Sequence, residues 1–128
     1  MRFNRLVYTE RQPAGGIGRS MTVDFELEEI TVDSAGGGVR WCRLGTHERS
    51  TVDAKLSSSR PENWAEKYAA PLGDGLDWTL RLFDGTALVK TSSGTNSFPP
   101  ADQWNAFRLL ADFCFTVTRR YGAPPETR

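Results

Sequence analysis

The fold is decided by the stretch LDWTLRLFDGTALVK, residues 76–90. Apolar residues occupy every second position from Trp78 to Leu82. A period of two is typical of a strand with one buried face. The dipeptide Asp84-Gly85 then matches a tight hairpin turn, because both central residues of such a turn need positive φ. The stretch therefore predicts a β-hairpin, and the rest of the chain is expected to pack around it.

The position of the turn sets the predicted register of this hairpin. If Phe83 lies opposite Thr86, Leu80 lies opposite Val89, and the same face continues through Trp78. That face is apolar and is expected to point into the core. The other face mixes charged and apolar side chains and is expected to meet water.

A long helix is predicted after the polar turn of residues 91–98. Pro99-Pro100 suits a helix start, because the N–H that proline lacks has no partner there. Apolar and small side chains then recur at steps of three and four, at Trp104, Phe107, Leu110, Ala111, Cys114, Val117 and Thr118. Gly122 matches a C-cap. A helix with so wide an apolar surface is expected to be covered on more than one side.

Three short motifs precede this helix: Trp64-x-x-x-Tyr68, Asp74-Gly75-x-x-Trp78 and Gly94-x-Asn96-x-x-Pro99. As a set they resemble a family of small uncharacterised bacterial proteins that read W-x-x-K-Y, D-G-x-x-W and G-x-N-x-x-P. The resemblance covers roughly the C-terminal half of the chain. This sequence departs from the family in Phe98, where the family often has Tyr, and in the additional Pro100. The resemblance implies an architecture and no activity.

Length and charge narrow the class of protein. The chain has 128 residues, and residues 1–128 are expected to form a single domain. Its 16 basic and 16 acidic side chains cancel, which argues against a dedicated nucleic-acid-binding protein. No apolar run has the length of a membrane span, and the N-terminus lacks the apolar core of a signal peptide. We therefore expect a cytoplasmic protein that does not bind a membrane.

Residues that often carry chemistry are sparse. Cys42 and Cys114 do not form a C-x-x-C pair, and we expect buried free thiols, with a structural disulfide as the alternative. His47 is the single histidine and is predicted to lie in a solvated loop. We therefore expect no metal and no cofactor. A small hydrolase that uses His47 with a serine or carboxylate is the competing hypothesis.

The first part of the chain predicts two strands, at residues 3–9 and from Met21 onward. Residues 11–19 are rich in glycine and are expected to form the loop between them. The apolar positions of the second strand change phase after Leu27, because Ile30 and Val32 continue on even numbers. A one-residue slip would turn apolar groups to the wrong face, so a bulge or bend near Glu28-Glu29 is predicted.

The next part predicts a strand over residues 39–44, with Trp41 pointing inward and Arg40 or Arg43 outward. Residues 45–59 give no clear pattern, and the segment from Thr51 to Leu56 fits either a short helix or a strand. Pro61 is then predicted to begin a short helix that runs to Ala70.

The predicted fold class is α+β. We expect an antiparallel sheet of about four or five strands, within the usual range for sheets. The C-terminal helix is expected to pack across one face, with the shorter second helix, residues 61–70, beside it.

The functional prediction is a non-catalytic bacterial protein-binding module of the immunity, toxin-neutralising or phage-borne inhibitor type. This assignment is an analogy that rests on small size, the lack of a catalytic motif and the family resemblance. The expected partner is another protein, with a homodimer and a ligand-binding domain as alternatives. The candidate interaction surface consists of Asp24, Glu26, Arg40, Arg43, Arg81, Lys90 and Asn96.

Overall fold

Residues 2–12, 18–34, 37–70 and 75–124 are described by a computed structural model. The elements follow in the order β1 (Arg5–Arg11), β2 (Gly18–Asp24), β3 (Glu29–Ser34), β4 (Gly38–Arg43), α1 (Thr46–Ser59), a 3-10 turn (Pro61–Asn63), β5 (Lys67–Ala69), β6 (Asp77–Asp84), β7 (Ala87–Thr95) and α2 (Ala101–Tyr121). Residues 13–17 of the predicted glycine loop, and Asp74 of the second motif, lie outside the described residues.

The strands form one sheet in the order β4-β3-β2-β1-β6-β7-β5. Each neighbouring pair is antiparallel except β5 and β7, which run parallel. The α+β class, the predominantly antiparallel sheet and the C-terminal helix are confirmed. The predicted count of about four or five strands is wrong, since the sheet has 7. Sequence reasoning merged β2 with β3 and assigned β5 to a helix.

The phase change after Leu27 is a hairpin turn. Of the two alternatives predicted near Glu28-Glu29, the bulge is wrong, and the chain bends back on itself. Asp24 Oδ1 accepts hydrogen bonds from the backbone N–H groups of Glu26 and Leu27, at 3.0 and 2.8 Å. Glu28 closes the turn in the left-handed region, with φ 56°. An aspartate that binds the backbone two and three residues ahead is a standard way to begin a turn. The chain reverses, so the apolar positions of β2 and β3 return to the same face.

The hairpin of β6 and β7 is confirmed, but its predicted register is wrong. Asp84 lies opposite Ala87, so the central residues of the turn are Gly85, with φ 61°, and Thr86. Glycine at the first central position is typical of a type II′ turn, whereas the prediction placed Asp84 there. A further shift beside Leu82 adds a bulge.

The helix predicted from Pro61 to Ala70 is wrong. After the 3-10 turn the backbone is extended at Trp64, with ψ 152°. Three side-chain contacts hold this geometry: the Trp64 indole donates to the Ser59 carbonyl at 2.8 Å, the Ala65 N–H donates to the Tyr68 hydroxyl at 2.8 Å, and the Ser92 hydroxyl donates to the Ala65 carbonyl. The tertiary contacts outweigh local helix propensity, and β5 pairs with β7 instead.

The second helix is α1, which lies in the part of the sequence without a clear pattern. Glu48 accepts a hydrogen bond from the Gly45 N–H at 3.1 Å and caps its first turn. Of its 14 residues, Val52 and Ser59 are buried. So narrow a buried surface leaves no apolar stripe in the sequence, which explains why the helix was missed.

Both helices lie on one side of the sheet. Helix α2 packs on β2, β3 and β4, and α1 packs along α2. The buried side chains that fill the layer between them include Leu6, Tyr8, Met21, Val23, Ile30, Trp64, Trp78, Leu80, Leu82, Phe107 and Leu110. Among the described residues, no helix or strand covers the opposite side of the sheet. No described helix is long and apolar enough to cross a membrane.

The three sequence motifs converge on one aromatic cluster. The ring centroids of Trp64 and Trp78 lie 5.6 Å apart, and those of Trp78 and Trp104 lie 4.9 Å apart. The Trp78 indole donates to the Ser97 carbonyl at 2.9 Å, which ties the turn after β7 to the core. Gly94 lies opposite Trp78, so a side chain at this position would meet the indole. Packing within this aromatic cluster therefore explains the three motifs.

Replacing Gly94 with alanine is expected to lower the free energy of unfolding by about 3 kcal/mol, the upper range for overpacking. The new Cβ would collide with the Ser97 carbonyl oxygen and the Trp78 indole. Gly85→Ala is the control, because its Cβ meets no atom within 4 Å and only its φ of 61° is unfavourable, at a cost of about 1 kcal/mol. Urea unfolding curves measure both, and equal losses would contradict the packing argument.

Candidate functional site

The open face is the side of the sheet that faces away from the helices. Residues directly opposite one another in neighbouring strands share a face, so the register defines its members. Its charged side chains are Arg5, Arg11, Asp24, Glu29, Asp33, Arg43, Lys67, Asp77 and Arg81. The uncharged members are rich in threonine and serine, at Thr9, Ser20, Thr22, Thr31, Thr79, Thr91 and Ser93.

Most charges on the open face are grouped by sign on neighbouring strands, although Asp77 lies opposite Arg11 and Arg43 lies opposite Glu29. Arg5 and Arg11 lie on β1, and Arg81 lies on the adjacent β6; these three form the basic stripe. Asp24 on β2 with Glu29 and Asp33 on β3 forms the acidic stripe. The two stripes are neighbours, because β1 pairs with β2. The open face is therefore bipolar although the chain has no net charge.

Aromatic side chains lie among these charges. Arg5 stacks over the Phe83 ring at 4.3 Å, a cation–π contact that holds the guanidinium in place. Trp41 lies on the open face opposite Thr31, and its indole donates to the Pro124 carbonyl at 3.2 Å. The prediction that Trp41 points inward is wrong. Cys42, opposite Ile30, takes the inward position, so the strand has the reverse phase.

The predicted interaction residues divide into three groups. Asp24, Arg43 and Arg81 lie on the open face. Arg40 lies opposite Val32 and Lys90 opposite Leu82, so both lie on the helix side. The remaining two lie in turns: Glu26 is in the β2–β3 turn and accepts a hydrogen bond from Asn4 at 3.2 Å, and Asn96 follows β7 with φ 48°.

A buried ionic cluster at the end of β1 was missed by sequence reasoning. Glu10 is 6% exposed and accepts hydrogen bonds from Arg108 Nη1 at 2.5 Å and Arg19 Nε at 3.0 Å. Arg108 also donates to the Tyr8 hydroxyl at 3.2 Å. The signal was present: Glu10 keeps the inward phase of Leu6 and Tyr8, and a carboxylate there needs a partner from the covering helix.

The cluster shifts the pKa values of its members in opposite directions. Burial would raise the pKa of Glu10, but Arg108 and Arg19 outweigh burial and hold this pKa below its ordinary value. Burial, followed by the charge of Glu10, raises the pKa of the Tyr8 phenol. The pKa of Arg108 is also raised, because Tyr8 and Glu10 outweigh the effect of its burial. Glu10 therefore stays ionised and Tyr8 neutral near neutral pH.

An arginine pocket lies beside this cluster, between the last turns of α2 and the β3–β4 hairpin. It has a volume of about 200 Å³, and its lining includes Arg19, Arg40 and Arg119. Three guanidinium groups on one concavity can bind an anion through charge-assisted hydrogen bonds. Sequence reasoning placed Arg40 on the outer surface and did not bring these three residues together.

His47 lies in the first turn of α1, not in a loop as predicted. It is exposed and borders a depression of about 570 Å³ with Glu48, Arg120 and Tyr121. The Glu48 carboxylate is already engaged by the Gly45 N–H. Within the described chain no hydrogen bond or ion pair reaches the His47 imidazole, so no observation supports the hydrolase hypothesis.

The two thiols are free and buried. Burial and the charge of Glu48 raise the pKa of Cys42 to about 11, and burial raises that of Cys114. Both therefore remain protonated at neutral pH and pack as small apolar groups. Across the described residues, no group of three histidine, cysteine or carboxylate side chains is arranged to hold a metal ion.

Comparison with known proteins adds no relative. No protein-family model matches the sequence, and no curated protein is detectably similar to it.

Proposed function

We propose that the protein is a non-catalytic binding module of the bacterial cytoplasm, of the immunity, toxin-neutralising or inhibitor type. Its partner is another protein, which docks on the open face. The observation that carries the proposal is the pairing of a basic stripe on β1 and β6 with an acidic stripe on β2 and β3. Complementary charge across an interface selects the partner and speeds association.

The open face suits docking better than the edges of the sheet. At one edge, the backbone of Trp41 in β4 already pairs with Ala123. At the other, β5 has 3 residues and carries the exposed Lys67. Short edge strands with lysine resist the addition of another strand. Trp41 and Phe83, beside the arginines of the open face, are the residue types that anchor protein interfaces.

The charge pattern favours a protein over a nucleic acid. A nucleic acid would meet the basic stripe with its phosphates, but the same phosphates would lie against Asp24, Glu29 and Asp33. A partner protein that carries an acidic stripe beside a basic one pairs with both stripes of the open face. A second copy of this chain, rotated by two-fold symmetry, meets the same requirement, so a homodimer is the alternative occupant.

A charge swap tests the proposal. The double variant Arg81→Asp/Asp33→Arg keeps the net charge at zero but reverses one charge in each stripe of the open face. We expect the swap to weaken partner binding at least tenfold, about 1.4 kcal/mol. The partner is captured from a lysate by a photo-crosslinker at Thr79 on the open face, and affinity is then measured with the purified partner.

Arg120→Glu is the matched control, since Arg120 is exposed on the last turn of α2, on the helix side. It is expected to bind as the unmodified protein does. Light scattering of the unmodified protein decides between the two occupants: a dimer identifies a second copy, and a monomer leaves another protein as the occupant. Equal binding by the swap variant and the unmodified protein would remove the open face as the docking site.

A further inference from the structure

The arginine pocket is a second site, on the helix side and separate from the open face. Arg19 comes from β2, Arg40 from β4 and Arg119 from the last turn of α2. Three elements that are distant in sequence thus each contribute an arginine to the lining of one concavity of about 200 Å³. Like charges gathered in this way repel each other, so the arrangement is more stable with an anion between them.

Arg19 is held in a fixed orientation. Its Nε donates to the buried Glu10 at 3.0 Å, and its guanidinium lies over the Phe115 ring at 4.0 Å. Its Nη2 lies 3.9 Å from Asp112, a carboxylate whose side chain is 61% exposed. Because one edge and one face of the guanidinium are already fixed, little side-chain entropy is lost when the other edge binds a ligand.

The other two arginines are less engaged. Arg40 Nη1 donates to the Gly122 carbonyl at 3.4 Å, which is long for a hydrogen bond. Arg119 is exposed, and within the part of the chain that the structure describes it forms no ion pair. Arg40 likewise forms no ion pair there. Positive charge therefore exceeds negative charge around the pocket.

We propose that the arginine pocket binds a phosphate oxyanion, either free phosphate or the phosphoryl group of a small metabolite. Guanidinium groups match the paired oxygens of phosphate, and an anion that contacts arginines from three elements needs oxygens in more than one plane. The tetrahedral phosphoryl group provides them, whereas a planar carboxylate does not. The volume of about 200 Å³ is smaller than the ~300–1,000 Å³ of pockets for drug-sized ligands. One phosphoryl group fits within it, whereas most of a drug-sized ligand would lie outside.

Calorimetric titration tests the site. Inorganic phosphate, a nucleoside monophosphate and acetate are titrated separately into the full chain at low salt. We expect both phosphates to bind with Kd of about 1 mM or tighter, and acetate at least tenfold more weakly. Equal affinities for the two phosphates identify free phosphate as the ligand, and tighter binding of the nucleotide identifies a phosphorylated metabolite.

Two double variants distinguish phosphate binding at the arginine pocket from nonspecific attraction of phosphate to arginine side chains elsewhere. Arg40→Gln/Arg119→Gln is expected to weaken phosphate binding at least tenfold, with the thermal unfolding midpoint showing that the variant is folded. Arg11→Gln/Arg81→Gln removes the same charge from the open face and is expected to leave phosphate binding unchanged. No phosphate binding by the unmodified chain, or equal weakening in both double variants, would overturn the proposal without affecting the open-face proposal.

Discussion

Replacing Glu10 with alanine is expected to lower the free energy of unfolding by about 3 kcal/mol. Removing one partner of a buried ion pair leaves the other charge without compensation and costs roughly 3–5 kcal/mol. The lower figure applies because the Arg108 and Arg19 side chains are 30% and 31% exposed, so water reaches both guanidinium groups once the carboxylate is gone. Urea unfolding measures the loss.

Asp53→Ala is the matched control. Asp53 accepts hydrogen bonds from Arg49 at 3.1 Å, but the two side chains are 55% and 46% exposed and lie one helical turn apart on α1. An exposed pair of this kind contributes about 0.3–0.5 kcal/mol. If Glu10→Ala and Asp53→Ala were equally destabilising, the buried cluster would have no special part in stability.

The contribution of Glu10 also depends on pH. The pKa of Glu10 is lowered in the folded protein, so the unfolded chain takes up a proton first as the pH falls. The contribution of Glu10 to stability is therefore fully present above the pKa of glutamate in the unfolded chain, about 4.3. It disappears as the pH falls through the lower pKa of Glu10 in the folded protein. The difference in unfolding free energy between the unmodified protein and Glu10→Gln is expected to shrink over that range. A difference that stayed constant down to pH about 3, well below the unfolded value, would contradict the lowered pKa.

Replacing Trp78 with alanine is expected to have the largest effect in the chain, about 4–5 kcal/mol. The side chain is 2% exposed and contacts the rings of Trp64, Trp104 and Tyr68. The substitution leaves a cavity at the point where β6, α2 and the turn after β7 meet, and it removes the hydrogen bond to Ser97. Chemical unfolding, with loss of the near-ultraviolet aromatic signal, gives the measurement.

Two further variants show how much of this loss in unfolding free energy comes from the hydrogen bond to Ser97 and how much from burial. Trp78→Phe keeps an aromatic ring but leaves the Ser97 carbonyl without its donor, and we expect a loss of about 1–2 kcal/mol. Leu88→Ala removes an apolar side chain that is 52% exposed near the hairpin end, and should change stability by less than about 0.5 kcal/mol. A Trp78→Ala loss no greater than that of Leu88→Ala would disprove the central place of the aromatic cluster.

Sequence reasoning succeeded where a local pattern has a single structural solution. Trp78, Leu80 and Leu82 before Asp84-Gly85 specify a hairpin, and both elements were found. The long stripe from Trp104 to Thr118 specifies a helix, and α2 runs from Ala101 to Tyr121.

Sequence reasoning failed where particular side-chain hydrogen bonds, and not the spacing of apolar residues, decide the conformation. Trp64 and Tyr68 are spaced as neighbours on a helix, but hydrogen bonds to Ser59 and Ala65 hold them in extended backbone. The change of phase after Leu27 has two solutions, a bulge and a turn, and the bonds of Asp24 select the turn. Periodicity does not distinguish these cases.

The candidate sites were predicted least well. Three of the proposed interaction residues, Asp24, Arg43 and Arg81, lie on the open face, because strand alternation is visible in the sequence. The grouping of charges by sign on neighbouring strands was not visible, since it depends on the order of strands in the sheet. For the same reason the meeting of Arg19 with Arg40 had no sequence signal.

The order of the sheet has a consequence for how the chain is made. Strand β1 is synthesised before β6, but Leu6 pairs with Leu82 of β6, and the later helix α2 packs on β2, β3 and β4. While the ribosome is still extending the chain, the first four strands expose Met21, Val23 and Ile30 to water. Such an unfinished sheet is prone to aggregation, and distant pairings close slowly. Correct folding of the nascent protein thus requires that α2 leave the exit tunnel before these strands associate with other chains.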